Sequence, residues 1–230
     1  MLIYYNNKVM SKRRFEKDMR DSMKYEGIIF DLDGTLWDST NEICYTWRQV
    51  LSGYPDIKTD ITVESLYSCM GLQMEEIAAK LFPQLDKKEQ LKLLHECCEF
   101  ENIYLAEHGG TLYPQLQDTI EKLAQNHKLF IVSNCQDGYI QSFFTAHKLE
   151  KYFTDFESAG KTGLTKGENN KLIIERNHLK SAIYVGDTLG DANSAIDAKI
   201  PFVFARYGFG NVKKYDFVID HFNEILKLEL

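Results

Sequence analysis

The stretch Ile28-Ile29-Phe30-Asp31-Leu32-Asp33-Gly34-Thr35-Leu36 decides how the rest of the chain is read. Its three leading apolar residues predict a strand buried on both faces. Two carboxylates one residue apart then follow. On an extended strand, residues i and i+2 point the same way, so Asp31 and Asp33 are expected to flank one pocket, with Gly34 opening the backbone just beyond. Neighbouring carboxylates repel unless a cation or a shared proton separates them. A hard, oxygen-seeking ion such as Mg²⁺ would relieve that repulsion, leaving one Asp to attack phosphorus and the other to move a proton. Asp-Gly also marks turns, and Asp-x-Asp-Gly can open a calcium loop. The calcium pattern fails because its ninth position is Ser39, although Glu42 falls at the twelfth, and a strand precedes the motif.

Bulk properties narrow the class further. At 230 residues the chain fits one large domain or a core with an inserted subdomain. Lys plus Arg number 27 against 34 Asp plus Glu, which gives no electrostatic footprint for nucleic acid or an anionic membrane. No apolar run approaches a membrane span and no leader pattern is visible, so a cytoplasmic location is expected. Cys44, Cys69, Cys97, Cys98 and Cys135 are odd in number and lack CxxC spacing. Reduced, buried thiols are expected rather than disulfides or zinc. Residues 1–23, with six Lys and Arg and little apolar periodicity, are expected to form a poorly ordered extension, and Met23 could serve as an alternative start.

Short runs at 28–30, 129–132, 182–185 and 202–204 are continuous, apolar and bounded by Gly, Asp, Ser or Asn. Helical patterns at 115–125, 139–147, 169–176 and 191–198 alternate with the later ones. This alternation predicts a doubly wound α/β core with a mostly parallel sheet. Between residues 39 and 109 the alternation stops, and helix follows helix at 42–51, 63–69, 74–81 and 87 to about 106. An all-α cap over 39–109 is expected, inserted into a core of 24–38 and 110–230, with hinges at Asp38-Ser39-Thr40 and Gly109-Gly110.

In an open α/β sheet, ligands sit at the carboxyl ends of the strands. Three more polar clusters belong there. The run at 129–132 ends in Ser133-Asn134; the run at 182–185 ends in Gly186-Asp187-Thr188-Leu189-Gly190-Asp191; Lys166 lies between them. Singly each is a common cap, bend or solvated lysine. Their order behind Asp31-x-Asp33-Gly34-Thr35 is what carries the inference.

These four clusters, in this order over about residues 24–220, resemble the motifs of the haloacid dehalogenase superfamily hydrolases, and the insertion after the first resembles that superfamily's helical C1 cap. Within it, Gly71-Leu72-Gln73-Met74-Glu75-Glu76-Ile77 and Leu81-Phe82-Pro83 resemble phosphoglycolate phosphatase-like members. The resemblance implies that Asp31 is the nucleophile forming an aspartyl-phosphate and Asp33 the proton shuttle. It implies that Mg²⁺ is held by Asp31, the Asp33 backbone carbonyl and Asp187, with Asp191 behind or bridged by water. Thr35, Ser133, Asn134 and Lys166 would bind the phosphate or offset its charge.

The substrate expected is a small phosphorylated metabolite, phosphoglycolate-like or other, acted on by a monomer or weak homodimer without nucleic acid or membrane. A sugar phosphomutase needs the same two Asp residues, but β-phosphoglucomutase-like members carry an Arg a few residues after the cap glycine, where this chain has Gln73, Met74 and Glu75. A catalytically silent binding protein on the same fold is the alternative from another class. The one Arg in the helical interval is Arg48; with Trp37 and Trp47 it is a candidate for the substrate-facing side.

Overall fold

The computed structural model describes residues 2–5, 8–11 and 24–230. Near the start, β1 (Leu2–Tyr5) and β2 (Lys8–Ser11) pair antiparallel. The rest of the extension expected at 1–23 lies outside the described residues.

The core is a six-stranded sheet of β3 (Gly27–Phe30), β6 (Lys128–Ser133), β7 (Phe153–Ser158), β8 (Ala182–Gly186), β9 (Phe202–Ala205) and β10 (Phe217–Ile219). Its order is β10-β9-β8-β3-β6-β7, and every pairing is parallel. The first strand is central, and the chain builds outward to one side of it and then to the other. Such an order places a crevice at the carboxyl end of the central strand, between neighbours whose connections leave in opposite directions.

Burial on both faces explains the continuous apolar runs. Ile28 and Phe30, Leu129 and Ile131, Ile183 and Val185 point to one face; Ile29, Phe130 and Val132, Tyr184, Phe202 and Phe204 point to the other. The first face is covered by α5 (Leu116–Leu123) and α6 (Tyr139–His147) through Leu116, Ile120, Ile140 and Phe143. The second is covered by α8 (Lys166–Arg176) and α9 (Leu189–Ala198) through Ile173, Ala192 and Ala195. The single turn α7 (Ala159–Thr162) follows β7.

Strands β7 and β10 carry no expectation from the apolar runs. Each lies at an edge, and β7 alternates Thr154, Asp155 and Glu157 with Phe153 and Phe156, so its pattern is half polar.

Between β3 and β6 the chain leaves and rejoins the core through a short antiparallel ribbon, β4 (Trp37–Asp38) against β5 (Thr111–Leu112). The helices α1 (Thr40–Leu51), α2 (Val63–Tyr67), α3 (Met74–Leu81) and α4 (Lys87–His108) lie within that excursion. Helix α4 starts at a capping box between Asp86 and Glu89 and stops at Gly109, whose φ of 72° suits glycine. The ribbon lies next to residues 38–40 and 109–110 in sequence.

Candidate active site

Strand β3 stops at Phe30, so strand alternation does not place the two aspartates. The Leu32 carbonyl instead accepts from the amides of Thr35, Leu36 and Trp37, and this turn carries Asp31 and Asp33 to the wall of one cavity. Gly34 makes the turn possible. Its φ is 80°, and a Cβ there would lie 2.4 Å from Asp187 Oδ2. The first motif can therefore rest against the carboxylate at the end of β8 only where it has no side chain.

Asp31, Asp187 and Asp191 form a buried cluster whose oxygens approach within 4.8 Å of one another. Lys166 is the ammonium that answers them, with Nζ 2.8 Å from Asp31 Oδ1 and 2.7 Å from Asp191 Oδ1. Its position follows from local sequence. Thr165 caps α8 in a reciprocal box with Glu168, which fixes Lys166 at the first helical position, aimed at the sheet.

Asp191 is spoken for on both oxygens. Oδ1 accepts from Lys166 and Tyr184, and Oδ2 from the Thr188 amide and hydroxyl and the Asp187 amide. Burial works against its charge, but the neighbouring Lys166 and these donors hold Asp191 below the usual carboxylate range. Asp187 is held more lightly, by the Thr35 hydroxyl at 3.3 Å and the Phe209 amide at 2.7 Å. Burial, then the charge of Asp191, pushes Asp187 up to about 7. Burial and the same neighbour raise Asp31 well above its ordinary value.

Three buried carboxylates against one ammonium leave an excess of negative charge with no further protein counterion among the described residues. A divalent cation with a preference for oxygen fits that set. Asp31 and Asp187 have oxygens to offer it, whereas Asp191 is saturated by the fold.

Asp33 lies on the other side of the turn. Its Oδ1 accepts from Tyr139 Oη at 2.7 Å, Trp37 Nε1 at 2.9 Å and Ser39 Oγ at 3.2 Å. Burial raises Asp33, and these donors partly counter it. No protein donor reaches Oδ2 among the described residues, so one oxygen is anchored and the other is free to exchange a proton.

The cavity is small, with a volume of about 80 Å³. Its core wall carries Asp31, Asp33, Ser133, Asn134 and Lys166; its helical wall carries Ile43, Trp47, Leu66, Met70, Leu72 and Ile77. Asn134 joins the two, since its Nδ2 donates to the Gly71 carbonyl at 2.9 Å while its buried Oδ1 has no partner.

A family model for haloacid dehalogenase-like hydrolases matches residues 28–205. The chain belongs to the haloacid dehalogenase-like hydrolases. This hydrolase is 25% identical over 223 residues to a curated phosphoglycolate phosphatase of Vibrio parahaemolyticus, covering 87% of this chain and 94% of the relative. A solved haloacid dehalogenase-like hydrolase from Bacteroides fragilis superposes with a TM-score of 0.76 at 25% identity, over 88% of this chain and all of that one. A haloacid dehalogenase-like family hydrolase from Streptococcus pneumoniae, 20% identical, shares the fold at a TM-score of 0.76 over 90% of this chain and 98% of its own.

Most residues singled out from the sequence meet at this one place: Asp31, Asp33, Ser133, Asn134 and Lys166 line the cavity, and Asp187 lies directly behind Asp31. Thr35 departs from its expectation. It is fully buried and its hydroxyl faces Asp187, so it orients that carboxylate instead of lining the cavity. Trp37 packs in the core against Tyr139 and Phe143, and Arg48 turns away toward the Ile61 carbonyl and Asp60; of the three substrate-facing candidates only Trp47 lines the cavity.

The residues missed are Tyr139 and Ser39 on Asp33, the Phe209 amide on Asp187, and Glu101 and Gln136 in the cavity wall. Glu101 sits on a helix with acidic residues at 89, 96, 99 and 107, and nothing in its local pattern distinguishes it from its solvated neighbours. The one available signal was the Gly208-Phe209-Gly210 run after a strand, since a Cβ on Gly208 would lie 2.3 Å from that of Asp187.

Proposed function

We propose that the protein is a Mg²⁺-dependent phosphatase that hydrolyses small phosphomonoesters through an aspartyl-phosphate on Asp31. The observation that carries this reading is the pairing of two aspartates in one cavity, the buried Asp31 bonded to Lys166 and the half-buried Asp33 anchored through a single oxygen by Tyr139, Trp37 and Ser39. Lys166 occupies Asp31 Oδ1, which leaves Oδ2 to attack phosphorus. As the new Oδ2–P bond forms, the ester P–O bond breaks and Asp33 gives a proton to the leaving oxygen; Asp33 then takes a proton from the water that splits the aspartyl-phosphate. Ser133 at the end of β6 and Lys166 would bind phosphoryl oxygens.

Mg²⁺ would be held by Asp31, the Asp33 backbone carbonyl and Asp187, and when bound it supplies charge stabilisation for the phosphoryl group. Thr35 and Phe209 fix Asp187 for that task. Residues 39–109 would act as a cap whose closure shields the intermediate from stray water. Gly71, bonded to Asn134, is one of the points where this segment is latched to the core.

No helix among the described residues is long and apolar enough to cross a membrane, and all five cysteines are free and buried, which supports a reducing compartment such as the cytoplasm. The decisive experiment is Asp31→Asn assayed with p-nitrophenyl phosphate and Mg²⁺. Hydrolysis should fall by at least about a thousandfold, and excess chelator should abolish it in the parent. Parent-like turnover in the variant would remove Asp31 as the nucleophile.

A further inference from the structure

The helical wall of the cavity contains a charge that the chemistry at Asp31 does not use. Glu101 projects from α4 into the same cavity and is only 2% exposed. Its carboxylate is held in place from two sides: Trp47 Nε1 donates to Oε2, and Gln136 Nε2 donates to Oε1 at 2.8 Å. Gln136 is itself fixed by a bond to Asn102 Oδ1 at 3.1 Å. Each of its oxygens carries one donor, which leaves lone-pair capacity for a ligand.

What the wall lacks is equally informative. The charged residues lining the cavity are Asp31, Asp33, Glu101 and Lys166. Lys166 is engaged by Asp31 and Asp191, so among the described residues no cation lining the cavity remains to receive a second anionic group on a substrate. Ile43, Leu66, Met70, Leu72 and Ile77 line the same cavity with apolar surface.

We propose that Glu101 is a specificity residue that selects phosphomonoesters whose leaving group carries a hydrogen-bond donor, a hydroxyl or an ammonium, and disfavours those carrying a carboxylate or second phosphate. The inference rests on the phosphatase reading above. A carboxylate-bearing leaving group would place like charges together in a desolvated cavity, where repulsion is weakly screened. A donor would find a preorganised charged acceptor. Burial pushes Glu101 up to about 7, and the charge of Asp33 adds to it, so assays at pH 8.5 present it as the carboxylate.

The test uses four near-isosteric esters: 2-hydroxyethyl phosphate, phosphoethanolamine, n-propyl phosphate and 2-phosphoglycolate, with p-nitrophenyl phosphate as the generic substrate. For the parent enzyme, kcat/KM for the better of the two donor-bearing esters should exceed that for 2-phosphoglycolate by at least about tenfold, the scale of one hydrogen bond to a charged group. The hydroxyl and ammonium arms decide which donor is preferred. In Glu101→Gln the ratio should shrink at least about fivefold, with part of the change a gain toward 2-phosphoglycolate, which misfolding cannot produce. Trp47→Phe, which removes the donor to Oε2, should shrink it in the same direction and serves if the Gln variant does not fold. A parent preference for 2-phosphoglycolate, or an unchanged ratio in folded variants, overturns the inference. Hydrolysis of the aryl ester without ranking among the four sinks this inference alone; absence of hydrolysis of all five sinks the phosphatase reading and this inference with it.

Discussion

Lys166→Met tests the electrostatic logic of the site most directly, because the substitution keeps much of the buried stem and removes only the charge. The ammonium lies 2.8 Å from Asp31 and 2.7 Å from Asp191, so at an effective dielectric near 20 each contact supplies roughly 6 kcal/mol of attraction before desolvation. Removing one partner of such a buried set costs about 3–5 kcal/mol, since the remaining charges are left unanswered. The loss should depend on pH with a definite sign. In the parent, Asp191 is held below its unfolded value, which contributes stability above that value and loses it as pH falls. In the variant, the acids are pushed up, and their protonated forms make the folded state tolerable only at low pH. Both effects widen the gap as pH rises. Urea unfolding in chelator should therefore show a deficit of about 3–5 kcal/mol at pH 8 and clearly less at pH 5, at similar m-values. A deficit under about 1 kcal/mol at pH 8, or one of the same size at both pH values, would refute the account of Lys166 as the counterion of this cluster.

Two further outcomes follow from the same geometry. Asp187 is raised to about 7 and Asp31 also lies above its ordinary value, so without metal the folded state retains protons that the unfolded chain releases, and stability falls as pH rises from about 4 to 7. Mg²⁺ replaces those protons; it should raise the melting temperature more at pH 8 than at pH 5.5 and release protons measurable by calorimetry in buffers of different ionisation enthalpy, and equal shifts at both pH values would contradict this. Tyr139→Phe removes the closest donor to Asp33, a bond that favours the carboxylate; the limb of the kcat/KM profile governed by Asp33 should move to higher pH by about one unit, as expected for losing a hydrogen bond to a charged group, and an unmoved profile would remove Tyr139 from the site's tuning.

The core was legible because its strands are continuous apolar runs that end in polar residues, a pattern that only double burial with a ligand at the strand ends explains. Asp31, Ser133 and Asp187 were found in this way, each lying immediately after or at the end of a strand. The edge strands β7 and β10 were not, because an edge needs less apolar surface and their patterns are short or mixed. Thr35 shows a different limit. A hydroxyl two residues beyond Asp33 can face phosphate or metal ligand equally well in sequence, and the Leu32-centred turn decides for Asp187.

The sequence by itself determined the family and the polar groups of one site, since Asp31-x-Asp33-Gly34-Thr35 and the three later clusters carry the motifs in order. Only the tertiary structure decided what else faces that point. Asp191 is held by five donors drawn from Lys166, Tyr184, Thr188 and Asp187, and Asp33 is anchored by a tyrosine more than a hundred residues away. Glu101, one acid among many on a solvated helix, becomes the single charge among the described residues on the helical wall of the cavity because α4 turns that position toward the core. Burial and partner identity are properties of the packed molecule, and they separate a solvated glutamate from one poised to choose a substrate.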